Sequence, residues 1–135
     1  MQTRAPLIND PIQKLESPVF FTAFCVKPGF RYQALKPYCK SVEFVTDGYN
    51  TDLTLIAYQI EQSLKKFDPD RDCLVPTGTG IVNILVGYYL AAKFPDSSLA
   101  VAFFQKETQK HNRVVVPEDY EFYRIYPAQA MNLWS

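Results

Sequence analysis

The apolar positions of this chain repeat with two different periods, and the period of each segment predicts its backbone. Val19-Phe20-Phe21-Thr22-Ala23-Phe24-Cys25-Val26 is rich in aromatic and β-branched residues and stops at Lys27-Pro28-Gly29, which reads as a strand followed by a turn. Ser41-Val42-Glu43-Phe44-Val45-Thr46 alternates as a half-buried strand does, and Asp47-Gly48-Tyr49-Asn50 supplies turn chemistry after it. From there the period lengthens. Leu53, Ile56, Ala57, Ile60, Leu64 and Phe67 recur at three- and four-residue steps, which predicts an amphipathic helix of about four turns, with Asn50 or Thr51 as N-cap and Asp68-Pro69 as its end.

Cys73-Leu74-Val75 then reads as a short buried strand closing at Pro76-Thr77-Gly78-Thr79-Gly80. Residues Ile81 to Ala92 are apolar almost all round, the pattern of a helix covered on most sides, and Lys93-Phe94-Pro95-Asp96 stops it. Ser98-Leu99-Ala100-Val101-Ala102-Phe103-Phe104 is a further buried strand. Strand, helix, strand, helix, strand with connections of this length is a βαβαβ pattern, and right-handed crossovers place its strands parallel in one sheet. Arg113 to Val116 and Tyr120 to Tyr126 read as strands joined by a short polar link, forming an antiparallel edge or hairpin.

The expected fold class is therefore α/β: a small Rossmann-like domain of two or three layers, with five or six strands in a mostly parallel sheet, two main helices and a C-terminal antiparallel hairpin. Pro6, Pro11, Pro18, Pro28 and Pro37 punctuate the start of the chain. Residues 1–17 are expected to form an extended N-terminal arm that adds little to the core, and residues 18–135 a single domain.

Composition narrows the classes of function. The 135 residues are 47% hydrophobic, enough for one domain with its own core. Fourteen basic residues balance fourteen acidic ones, so the overall field gives no reason to expect nucleic acid or an anionic membrane as partner. The N-terminal residues lack the features of a secretory signal, and no apolar run is long enough to cross a bilayer, so a soluble, cytoplasmic protein is expected. The three cysteines stand in no C-x-x-C arrangement, and Cys25 and Cys73 lie in hydrophobic stretches as small buried residues. His111, the one histidine, falls in a polar loop and is a poor general base.

Charge is distributed unevenly. Residues 1–40 hold six basic and two acidic residues, and residues 41–72 hold three basic and seven acidic ones. Two ordinary surface faces account for this, with a basic groove for an anionic ligand as the alternative.

One segment supports a chemical argument. Thr77, Gly78, Thr79 and Gly80 join a strand to a helix, where glycines allow close approach of the backbone, threonines donate or cap, and exposed amides attract anions. The G-x-G-x-x-G fingerprint is incomplete, because Asn83 stands three residues after Gly80, and no G-K-[ST] follows. In a parallel sheet the loop carrying Asp47, Tyr49, Asn50 and Asp52 emerges at the same edge. Asp47 and Asp52 are suited to a ribose hydroxyl or a metal, Asn50 to a polar group and Tyr49 to a ring, against structural roles as Asx-turn and N-cap. The alternating acids of Asp68-Pro69-Asp70-Arg71-Asp72 precede a strand and read as a solvated loop at the opposite end.

The run from Asp72 to Phe104, with its D-x-L-V-x-T-G turn ahead of an apolar helix and strand, resembles small Rossmann-like proteins of phages and mobile elements. The resemblance implies a fold pattern and a viral accessory role, and it transfers no activity and no catalytic residue. The resulting expectation is a non-catalytic binding or interaction module for a small anionic ligand such as a nucleotide, with no resident metal or cofactor. A protein partner or homo-oligomer is compatible with it. The alternatives are a nucleotide-processing enzyme that uses Asp47 and Asp52 with a divalent metal, and a virion assembly protein.

Overall fold

The computed structural model describes residues 11–28, 32–48, 51–77, 80–105, 108–109, 115–116 and 119–127. The strands are β1 (Ile12–Leu15), β2 (Phe20–Cys25), β3 (Cys39–Phe44), β4 (Cys73–Val75), β5 (Leu99–Gln105), β6 (Thr108–Gln109), β7 (Val115–Val116) and β8 (Asp119–Ile125). The helices are α1 (Leu53–Ser63) and α2 (Gly80–Lys93), with 3-10 turns at Tyr32–Leu35 and Leu64–Lys66.

The chain forms a mixed α/β fold around a six-stranded sheet of order β1-β8-β5-β4-β2-β3. Strand β2 is parallel to both β3 and β4, β4 is parallel to β5, and β8 runs antiparallel to β5 and β1. Alternation along the strands sorts the core onto two faces. Phe24, Val26, Leu74 and Val101 pack with Ile56, Ile60 and Leu64 from the α1 region and with Val86 and Leu90 of α2. On the other face Ala23, Cys25, Cys73, Val75, Ala100 and Ala102 pack with Leu35 of the 3-10 turn and with Phe20, Tyr120 and Phe122. Both helices therefore cover one face. The chain between β2 and β3 covers the other.

Several expectations are corrected by this arrangement. The side chain of Asp52, rather than Asn50 or Thr51, caps α1, its Oδ1 accepting from Thr54 N at 2.9 Å. The α-helix proper is shorter than expected, and Leu53 and Ala57 are exposed while Ile56, Ile60, Leu64 and Phe67 are buried. Helix α2 is not covered on most sides: Val86 and Leu90 are buried, whereas Ile81, Ile84 and Tyr88 face solvent. A helix lying on a sheet has one covered side, whatever the composition of the other.

The hairpin is also differently paired. Val115–Val116 pairs with Thr108–Gln109, while β8 pairs with β5. Gln105 stands opposite Asp119 in the main sheet, and Thr108 opposite Val116 in a separate two-stranded sheet of β6 and β7. Of the expected arm, residues 1–10 lie outside the described residues. Ile12–Leu15 is a sheet strand, with Ile12 opposite Ile125 and Leu15 opposite Phe122.

The loop of alternating acids is not fully solvated, because Asp72 has no solvent exposure. Its Oδ1 accepts from Thr22 N at 3.2 Å and its Oδ2 from Asp68 N at 2.9 Å, with Arg71 Nε 3.4 Å from Oδ1. The carboxylate thus fastens this loop to the start of β2. A charge is tolerated there because donors replace its water.

Candidate functional site

The ends of β2, β3 and β4 meet at one edge of the sheet, each continuing into a polar segment. Val26 N donates to Val75 O at 3.0 Å, and Thr46 N and Oγ1 both donate to Val26 O, at 3.1 and 2.7 Å. Lys27 N donates to Thr77 Oγ1 at 2.9 Å, which ties the loop after β2 to the loop after β4. Asn83, one turn into α2, donates from Nδ2 to Thr77 O at 3.1 Å and fixes that loop from the helix side. Gly48 has φ +79°, and a Cβ there would lie 3.2 Å from Lys27 Cγ and from Pro28 Cδ. Glycine is required at this position by both conformation and close approach.

The sequence-predicted residues are only partly brought together. Asp47, Thr77 and Gly80 stand on the elements that converge here, Gly80 opening α2 with open space around the position of a Cβ. Tyr49, Asn50, Gly78 and Thr79 lie outside the described residues, as does His111. Asp47 Oδ2 accepts from Gln59 Nε2 at 3.0 Å while Asp52 serves α1, so the two carboxylates have separate partners. Among the described residues no group of three His, Cys, Asp or Glu side chains is placed to hold a metal.

Sequence reasoning missed Lys27, Gln59 and Asn83. Lys27 was visible only as turn punctuation, and Asn83 only as a break in a glycine fingerprint, although a lone amide in an apolar helix is itself a signal. Gln59 helps line a cavity of about 330 Å³ beside α1 with Thr46, Asp47, Tyr58, Gln62 and Ser63. Its Oε1 is buried and has no hydrogen-bond partner among the described residues. The cavity therefore offers the Asp47 carboxylate as an acceptor, while the Gln59 carbonyl oxygen is closed off beneath it and Ser63 Oγ donates to Val45 O.

Among the described residues, Lys14, Lys27 and Lys40 do not share one groove. Lys14 lies 3.8 Å from Glu121, Lys40 sits over the Phe21 ring, and Lys27 stands at the opposite end of β2 from Phe21. A second cavity of about 330 Å³ is apolar and lies away from this polar edge, between the end of α2 and strands β5 and β8, lined by Leu90, Phe94, Leu99, Ile125 and Tyr126.

All three cysteines are free and buried. Burial, reinforced by Cys39, pushes the Cys25 thiol up to about 12. The Cys73 thiol is also raised, by its hydrogen bond with Cys39 and then by burial. Cys25 and Cys73 therefore stay protonated as core side chains, while the same hydrogen bond from Cys73 lowers the Cys39 thiol.

The molecule is thus a mixed α/β domain in which the segments following β2, β3 and β4 meet at the carboxyl ends of these parallel strands. Comparison with protein-family models, curated proteins and solved structures returns no match. No helix among the described residues is long and apolar enough to cross a membrane.

Proposed function

We propose that this chain is a non-catalytic, Rossmann-like binding module that takes a small anionic ligand, a nucleotide, at the carboxyl edge of β2 and β4. One observation carries the reading. Adjacent parallel strands β2 and β4 send the chain to opposite faces of the sheet, β2 toward Leu35 in one core cluster and β4 into α2 in the other. Ligands of open α/β sheets occupy the crevice outside such a pair. The first turn of α2 has amides free of helical partners, and Lys27 adds positive charge to that edge.

The neighbouring cavity favours a nucleotide over a simple phosphate. Asp47, oriented by Gln59 Nε2, offers an acceptor there, and the hydroxyls of a ribose are matching donors. No nucleophile and base stand together among the described residues at this edge, which is why a binding role is preferred to catalysis. The viral accessory role rests on the sequence resemblance alone.

The test is a thermal-shift series with ATP, ADP, AMP and inorganic phosphate on wild type, Lys27→Glu and Gly80→Ala. At a ligand concentration of about 100 times Kd, binding adds about 2.7 kcal/mol of stability. Lys27→Glu should remove most of the shift. Gly80→Ala, which meets open space, should stabilise the unliganded fold by about 0.4 to 1 kcal/mol and weaken binding of a ligand that approaches the backbone. Absence of a shift with every nucleotide, or equal shifts in wild type and Lys27→Glu, would reject the site.

A further inference from the structure

The outward side of the helix layer is apolar where a solvated surface is ordinarily polar. On α2, Ile81, Ile84 and Tyr88 are 48%, 54% and 76% exposed, and on the adjoining α1 Leu55 and Tyr58 are 49% and 61% exposed. Between Gly80 and Lys93 helix α2 has no charged residue. Lys93, at the end of the helix, folds back so that its Nζ donates to Leu64 O and Lys65 O at 3.4 and 3.3 Å. Gly87 interrupts the helix at an exposed position where a Cβ would meet nothing within 4 Å. No internal packing demands it, and a mid-helix glycine weakens its helix relative to alanine. It forms instead, with Ile84, Tyr88 and Ala91, a surface hollow of about 330 Å³.

We infer that this face is a homodimer interface, in which Tyr88 of each copy seats in the hollow over Gly87 and Ala91 of the other. A projecting ring and a hollow on the same helix are what a twofold contact requires, since the same patch must fit itself. The uncharged side of α2 meets its own image without like-charge repulsion, and an antiparallel crossing aligns the two α2 dipoles favourably. The two helices together form a layer roughly 20 Å on a side, about 400 Å² per copy and about 800 Å² in a dimer, the size of a weak, reversible contact.

Sedimentation equilibrium of the full chain up to about 200 µM tests the inference. Wild type should reach twice 15.5 kDa. Tyr88→Glu, Ile84→Glu and Gly87→Leu should each raise the dissociation constant at least about tenfold while circular dichroism stays native. Gly87→Cys, near the axis of the crossing, should give a disulfide-linked dimer with diamide, which reports the interface even if a glutamate variant folds poorly. A 15.5 kDa species at every concentration overturns the proposal. So does a dimer indifferent to these substitutions, or a monomer that instead sediments with phosphatidylcholine vesicles through them.

Discussion

A carboxylate without solvent is held at Asp72 by the donors that face it: the amides of Thr22 and Asp68, and the Arg71 guanidinium. Arg71 is itself positioned over the Phe21 ring at 4.7 Å, so one side chain links the charge to the aromatic surface of β2. Truncation removes the acceptor and leaves two amides without their partner. Asp72→Ala should therefore lower stability by about 2–4 kcal/mol, read as a lower urea midpoint with an unchanged m-value. Asp70→Ala, at an exposed neighbour, should have a much smaller effect. The five residues from Asp68 to Asp72 look equally hydrophilic in sequence. What separates Asp72 from Asp70 is a hydrogen bond to a residue fifty positions away, which no local pattern encodes.

At the scale of elements, capping and pairing decide what periodicity leaves open. The repeat from Ile56 to Phe67 is legible because those side chains share one face, but the start of α1 shifts to follow the Asp52 cap and Leu53 turns outward. Strand β1 carries little strand signal, yet its residues pair with Phe122 to Ile125 and Tyr126 N donates to Pro11 O at 3.0 Å. It covers the edge of β8 that would otherwise present unpaired amides and carbonyls. Deleting residues 1–17 should accordingly lower the melting temperature by several degrees and increase aggregation on heating, measured by differential scanning fluorimetry with light scattering. An unchanged Tm would show that β1 contributes no stability to the sheet.

For the molecule as a whole, the two core clusters share their strands: Ala23 and Cys25 face one side of β2 while Phe24 and Val26 face the other. Neither face can open without loss of the same backbone ladder. Unfolding in urea is therefore expected to be one cooperative transition. The three thiols report it, because the fold shields all of them from solvent. At about pH 8 a disulfide reagent should label none of them rapidly in water, and the labelled fraction should follow loss of far-UV circular dichroism along one curve. Rapid labelling of a thiol before that transition would reveal local opening of the face covered by the Tyr32–Leu35 turn.

Local chemistry was sufficient for the run β2, β3, α1, β4, α2 and β5: β-branched and aromatic runs made β2, β4 and β5, and proline and glycine marked their ends. It also brought the Asp47 and Thr77 loops to one edge, since parallel strands joined by crossovers carry their following loops on the same side. Tertiary structure alone decided the sheet order, the insertion of β8 between β5 and β1, and the burial of Asp72. It alone decided, too, that the apolar α2 shows half of its surface to solvent. Composition states how hydrophobic a helix is, but the number of neighbours available to cover it is a property of the assembled layers.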